Sequence, residues 1–202
     1  MHNNILSSIS NCNKDNFSKI INLYNILASD NVTKEIEFNL DWIFELMPEL
    51  KNMICFEHKH PHHHLDVWEH TLYALSISQP NFDVRLVLLL HDIGKPFSYT
   101  EKDGIRHFDG HPKTSKEMSK NILIRIGFSD EYINKICYLI EYHDTPISKT
   151  DIVNNYELNY LRYLIQECDA LAHHPDKLDK RIKYLEKTKK LILSLNLNNW
   201  QK

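Results

Sequence analysis

The feature that most constrains the fold is an apolar run that ends in a charged pair. Residues 85–90 are apolar except for the first, and they lead directly into His91 and Asp92, after which Gly94 and Pro96 end the segment. If the run is helical, it is apolar on every side and must be surrounded by protein. Burying His91 and Asp92 is costly unless they are compensated, and metal coordination is one form of compensation.

Apolar residues recur at helical spacing through most of the chain. Glycine is rare, with 4 residues among 202, so the turns that many short strands would need are missing. The spacing predicts an N-terminal helical hairpin that stops at Pro48, a loop over residues 51–61 and a helix over residues 65–78. A polar loop is expected from Glu101 to Gly110, followed by amphipathic helices.

Together these patterns predict an all-α fold, namely a single-domain helical bundle. Residues 1–50 are expected to form the helical hairpin, packed on the core, residues 51–175 the central domain, and residues 176–202 a C-terminal helix. Basic residues between Lys177 and Lys190 are interspersed with acidic ones, which is typical of a solvated helix face.

The chain has 13 histidines, which makes a catalytic metal site worth testing. Mixed imidazole and carboxylate donors suit Mn, Fe, Co, Ni or Zn better than Mg or Ca. Asp66, one helical turn before His70, is expected to orient the His70 imidazole. The candidate ligands lie at the edges or polar points of different predicted helices: His70, His91, Asp92, His111, His143 and Asp169.

The remaining histidines are expected to have ordinary roles. A loop position predicts that His58, His60, His62 and His64 are exposed to solvent. Three others are expected to line a cleft or to cap helices: His107, His173 and His174.

The motifs resemble those of the HD-domain phosphohydrolases, in particular the HD domain of bacterial CCA-adding tRNA nucleotidyltransferases. The family pattern is a His, then a His-Asp pair, then a distant Asp, with two further His in the dinuclear branches. The resemblance covers roughly residues 55–175. The matching segments are residues 61–71, 88–96, 107–111, 139–143 and 169–174.

The resemblance implies one or two divalent transition metal ions (Fe, Mn, Ni, Co or Zn). It implies that one ion is held by His70, His91, Asp92 and Asp169, and that Asp92 bridges to a second ion held by His111 and His143. Two departures from the family stand out. The roughly 50 residues before the HD region leave no room for a nucleotidyltransferase domain, so CCA addition is not carried over, and His143-Asp144 forms a second His-Asp pair.

The expected function is hydrolysis of a phosphomonoester or phosphodiester, acting on a nucleotide or a cyclic phosphate by metal-activated water. Asp92 and Lys95 are the expected catalytic residues, since Lys95 could balance the charge of a substrate phosphate. Two alternatives are a non-catalytic, metal-containing nucleotide-binding or regulatory module, and an RNA-processing accessory with a basic groove. Substrate specificity is expected to come from residues 97–109 and the N-terminal hairpin.

The sequence predicts a cytoplasmic protein without a membrane partner. The N-terminus lacks a basic start with an apolar run, and no segment approaches the ~18 apolar residues of a membrane span. The 4 cysteines are far apart and fit reduced thiols. With 24 basic and 27 acidic residues the net charge is −3, which does not demand a nucleic-acid partner. The resemblance implies a small phosphate ester, in particular a nucleotide, as the partner. The oligomeric state is left open.

Overall fold

The computed structural model describes residues 13–199, with side chains described up to residue 195. An all-α fold is confirmed, since helices form nearly all of the regular structure in this range. The α-helices are α1 Lys14–Ala28, α2 Val32–Phe38, α3 Leu40–Leu46, α4 Val67–Ile77, α5 Phe82–Leu90, α6 His111–Ile126, α7 Asp130–Glu141, α8 Lys149–Asn154, α9 Tyr156–Leu171 and α10 Asp179–Asn199. Short 3-10 helices span Pro48–Met53, Lys95–Phe97 and Pro175–Lys177.

Three local predictions differ from the structure. The second helix of the predicted N-terminal hairpin is divided into α2 and α3 at Asn39, whose side-chain amide donates to the Glu35 carbonyl at 2.8 Å and so competes with the backbone. The first residues of the loop predicted over residues 51–61 belong to the 3-10 helix Pro48–Met53. The predicted polar loop contains an antiparallel hairpin of β1 Thr100–Lys102 and β2 Ile105–His107, which turns at Asp103-Gly104, both with positive φ.

Helix α5 lies at the centre of the bundle, as its apolar run predicts. All of its residues except Asp83 are buried. It packs against α1, α4, α7 and α9, so protein surrounds it on every side. The chain that leaves its C-terminal end therefore enters a protein interior, and this is where His91 and Asp92 lie.

The N-terminal helices share the main core with the rest of the bundle. Buried side chains of α1 and α3, such as Leu23 and Ile43, belong to the same apolar cluster as Leu88 of α5. Helix α10 packs on α9 through a smaller cluster that includes Leu185 and Ile192. The division of the chain at residues 50 and 175 stays a prediction.

Within residues 13–199, no helix combines the length and apolar character that crossing a membrane requires. Cys55 is exposed, Cys137 and Cys168 are buried, and all three are free thiols. Cys12 lies outside the described residues.

Candidate metal centre

The structure brings the predicted ligand residues together at the C-terminal end of the central helix. His70 comes from the first turns of α4, His91 and Asp92 directly follow α5, and His111 is the first residue of α6. His143 lies just beyond α7, and Asp169 lies in the last turn of α9. All are buried except His111, which is half-buried.

Gly94 sets the approach of α6 to this end of α5. Its backbone N–H donates to Ser115 Oγ at 2.9 Å. A Cβ atom at this position would lie 2.5 Å from Ser115 N and 2.9 Å from the His111 carbonyl oxygen, so any larger residue would push α6 away. The close packing leaves His111 Nε2 only 3.2 Å from Asp92 Oδ1.

The two carboxylate oxygens of Asp92 face two different groups. Oδ2 lies 3.3 Å from His91 Nε2 and 3.8 Å from His70 Nε2. Asp169 closes this first group, because its Oδ1 lies 2.9 Å from His70 Nε2 and 3.5 Å from His91 Nε2.

The second group lies on the other side of Asp92. Oδ1 is 3.2 Å from His111 Nε2 and 4.0 Å from His143 Nε2, and the two Nε2 atoms are 3.3 Å apart. Asp92 thus offers one carboxylate oxygen to each of the two groups.

Backbone carbonyls fix the tautomer of each of these imidazoles. Because a carbonyl oxygen can only accept, every Nδ1 must be the donor, and every Nε2 then directs a lone pair towards the centre. The acceptors are the carbonyls of Ala172 for His70 (3.2 Å), Leu88 for His91 (2.7 Å), Phe108 for His111 (2.9 Å) and Ile140 for His143 (2.7 Å).

This donor set fits a bound cation. Nε2 of His91 and both oxygens of Asp92 are buried and form no hydrogen bond with any residue that the structure describes. Lone pairs and carboxylates that face one another without protons between them are costly unless a positive charge joins them. Ligand atoms that share an ion at about 2.0–2.2 Å are themselves roughly 3 Å apart, which agrees with the separations in both groups.

The charges in the site keep its carboxylates ionised, but they also act on His91. Burial alone would lower the pKa of His91, whereas the charge of Asp92, together with Asp169, outweighs it and raises this pKa, so a bound cation would displace a proton from His91. Burial alone would raise the pKa of Asp92, but the charges of His91 and Lys95 outweigh it and hold this pKa well below its usual range. The pKa of Asp169 is also held well below its usual range, since His173 and His70 outweigh its burial. Burial lowers the pKa of His143 to about 4. Ionised carboxylates and a neutral imidazole are the forms that ligate metal.

Lys95 is buried beside the cluster. Its ammonium lies 2.6 Å from Asp92 Oδ2 and 3.0 Å from His58 Nε2. The expectation that His58 is exposed is wrong, because its side chain is 1% exposed and its Nδ1 donates to the Leu65 carbonyl. His62 and His64 are exposed as predicted, whereas His60 is half-buried.

The expectation that Asp66 orients His70 is also wrong. Asp66 is the N-cap of α4, where its Oδ1 accepts from the Glu69 backbone and its Oδ2 accepts from the Cys55 backbone. The imidazole of His70 is held instead by the Ala172 carbonyl. The i, i+4 spacing predicts a contact between Asp66 and His70, but both carboxylate oxygens of Asp66 are used by backbone N–H groups at the start of the helix.

A cleft of about 350 Å³ opens onto Asp92, His111, His143 and Asp169. Residues 106–112 form part of its wall, and of the loop expected to set substrate specificity, residues 97–109, only the end from residue 106 lines the cleft. The predicted contribution of the N-terminal hairpin is wrong, because no described residue before His60 lines this cleft.

Arg181, in the first turn of α10, lines the cleft, whereas its place among the basic residues of that helix predicts a solvated face. The signal that could have found it is its position: α10 begins a few residues after His173 and His174, which were themselves expected near a cleft.

The structure is that of a helical protein with a buried His/Asp cluster that could hold a metal ion. The HD domain family model matches residues 62–191, more than half of the chain, and the chain therefore belongs to the HD domain family, in the superfamily of metal-dependent phosphohydrolases.

Two characterised relatives carry similar HD regions. An A-adding tRNA nucleotidyltransferase of Deinococcus radiodurans is 33% identical over 96 residues, which cover 44% of this chain and 22% of that protein. A CC-adding tRNA nucleotidyltransferase of Thermus thermophilus is 30% identical over 104 residues, which cover 48% of this chain and 24% of that protein. The matched region thus spans less than a quarter of the length of either relative, and the resemblance seen in the motifs is confirmed at this level.

Proposed function

We propose that this protein is a metal-dependent hydrolase of phosphate esters. The observation that carries the proposal is the position of Asp92, whose two buried carboxylate oxygens each face a separate group of Nε2 atoms, with Lys95 paired to one of the two oxygens. A single buried carboxylate between two such groups suits a pair of cations that share it.

In this proposal His70, His91, Asp92 and Asp169 hold one divalent transition metal ion. Asp92 also serves a second ion, together with His111 and His143. Such ions supply Lewis acidity, lowering the pKa of a water and polarising a phosphoryl oxygen. Imidazole and carboxylate donors fit Fe, Mn, Ni, Co or Zn alike.

The residues of the chain supply position and charge. The carbonyls bonded to each Nδ1 hold the imidazoles in place, and burial excludes bulk water from the side of the cluster that faces α5. Lys95 is placed to balance the negative charge of a substrate phosphate, since its ammonium lies beside Asp92 and is held by His58. The open side of the cleft admits the ester.

The proposed substrate is a small phosphate ester, with a nucleotide favoured. Its support is the similarity to proteins named as tRNA nucleotidyltransferases, which is confined to the HD region. A nucleic-acid substrate is less favoured, because the cleft combines Arg106 and Arg181 with Asp109 and Asp144 rather than forming a basic groove. A cytoplasmic location stays a prediction from the sequence.

The test is metal content by elemental analysis together with hydrolysis of phosphomonoesters and phosphodiesters, on the wild type and on Asp92→Ala. We expect one or two transition metal ions per wild-type chain and cleavage of at least one ester. Asp92→Ala should lose metal and lower kcat/KM by about a thousandfold, which corresponds to about 4 kcal/mol of transition-state stabilisation.

Asp15→Ala is the control, because Asp15 is an exposed carboxylate on α1 that pairs only with Lys19 among the described residues. It should keep both metal and activity. Full activity in Asp92→Ala would overturn the proposal. A wild type that holds metal and binds nucleotides without cleaving any ester would instead be a binding or regulatory module.

A further inference from the structure

A second cavity adjoins the cleft between α9 and α10. We call it the side chamber; it has a volume of about 130 Å³. Its apolar wall is formed by Pro146, Ala170 and Leu185. Other residues line both the chamber and the cleft, so the two open into each other beside the metal centre: His143, Asp144, Asp169 and Arg181.

The neutral polar groups in the chamber wall are already used within the protein. Gln166 donates to the Thr145 carbonyl at 2.7 Å and accepts from the Tyr184 hydroxyl at 2.9 Å. The same hydroxyl accepts from the Ile147 backbone at 2.9 Å. An occupant would therefore be held by contact with apolar atoms and by shape rather than by hydrogen bonds to these side chains.

Arg181 lies at the junction of the cleft and the chamber. It is half-buried, and it forms no hydrogen bond or ion pair with any residue that the structure describes. A half-buried guanidinium without a partner is well suited to bind an oxyanion.

We propose that the side chamber receives the organic group of the phosphate ester, in the form of a flat apolar ring, and that Arg181 binds a phosphate oxygen at the junction. The proposal rests on the proposed function for its placement of phosphate at the metal centre. It adds the substrate class, a phosphate ester whose organic group carries an aromatic ring. Because Gln166 and Tyr184 already form hydrogen bonds within the protein and the rest of the neutral wall away from the metal centre is apolar, the chamber should discriminate little between different rings.

The test uses two probes that resist hydrolysis, phenylphosphonate and methylphosphonate. They carry the same head group and differ in the ring. Titration calorimetry on manganese-loaded protein should show about tenfold tighter binding of phenylphosphonate, the effect expected from burying one ring against an apolar wall. Leu185→Phe fills the chamber and should abolish this preference while methylphosphonate binding stays unchanged.

Leu193→Phe is the matched control, because Leu193 lies on the same helix and is exposed. It should keep the preference. Leu185→Ala, which enlarges the chamber and removes ring contacts, should also reduce the preference, and it serves if Leu185→Phe fails to fold. Arg181→Gln should weaken both phosphonates by a similar factor, about tenfold.

Equal affinity of the wild type for the two probes would overturn the proposal, as would a preference that survives Leu185→Phe. Unchanged binding of both phosphonates in Arg181→Gln would show that Arg181 does not bind a phosphate oxygen. The two proposals can fail separately. A ring preference without turnover of any ester would support the role of the side chamber and refute the hydrolase function. Turnover without a ring preference would support the hydrolase function and refute the role of the side chamber.

Discussion

Two buried charged residues lie at opposite ends of the central helix, and their surroundings differ. Arg85, in the first turn of α5, donates to the carbonyls of Leu27, Ser29 and Ser78 and to the Ser78 hydroxyl, over distances of 2.6–3.0 Å. Asp92, just beyond the other end, accepts no hydrogen bond from any described residue and has only ion-pair and imidazole contacts.

The comparison distinguishes a buried charge that stabilises the fold, Arg85, from a buried charge that is available to bind a cation, Asp92. At Arg85 the protein satisfies the charge with its own carbonyls, and in doing so it ties the ends of α1 and α4 to the central helix. At Asp92 the protein supplies several lone pairs and leaves the positive charge to Lys95 on one side only. A buried charge that is fully bonded within the protein contributes to the fold, whereas a buried carboxylate that faces several imidazole nitrogens is a candidate ligand for a cation.

The largest stability effect should come from Arg85→Met. The substitution leaves three carbonyls without donors in the interior and should lower the free energy of unfolding by about 3–5 kcal/mol. Urea unfolding measures this change. Arg125→Met is the matched control, since Arg125 pairs with Glu49 at the surface, and it should cost less than about 1 kcal/mol. Similar losses in the two variants would contradict the structural role of Arg85.

Metal removal should have the next largest effect, and it acts on the other end of the helix. At a free metal concentration a hundred times the Kd, chelation should lower the wild-type free energy of unfolding by about 2.7 kcal/mol. The helical circular dichroism should be retained, because the apolar core does not depend on the site.

Asp92→Asn sharpens this comparison, because it removes the shared charge and the metal with it. Its stability should not respond to chelator, while Arg85→Met should respond as much as the wild type does. If chelation changes the stability of Asp92→Asn by the same amount as the wild type, the metal binds elsewhere.

Helical periodicity predicted most of the fold because apolar spacing reports directly on which face of a helix is buried. The buried α5 and the amphipathic helices after it follow from that pattern. The break at Asn39 does not, because it depends on one side chain bonding to Glu35 rather than on apolar spacing. The hairpin at Thr100–His107 could not be predicted either, because its strands are short and mostly exposed and so show no alternation of apolar residues.

The proposed ligand residues could be chosen from the sequence because each occupies a motif position, whereas the residues that surround them could not. His58 and Arg181 belong to no motif, and they reach the site only through tertiary packing. The spacing of two residues on one helix also led to a wrong prediction, for Asp66 and His70. Asp66 shares a helix face with His70, yet a carboxylate at the start of a helix has nearer donors in the backbone of the first turn.

The smallest expected change in stability tests whether Asp66 caps helix α4 or supports the metal centre. As the N-cap of α4 it should contribute to stability alone, so Asp66→Ala should lower the free energy of unfolding by about 1 kcal/mol. Asp66→Asn, which keeps an acceptor at the cap, should lose much less. Metal content per folded chain should match the wild type in both variants, because the Ala172 carbonyl, not Asp66, holds the His70 imidazole. Loss of metal in Asp66→Asn at unchanged stability would instead assign Asp66 to the metal centre.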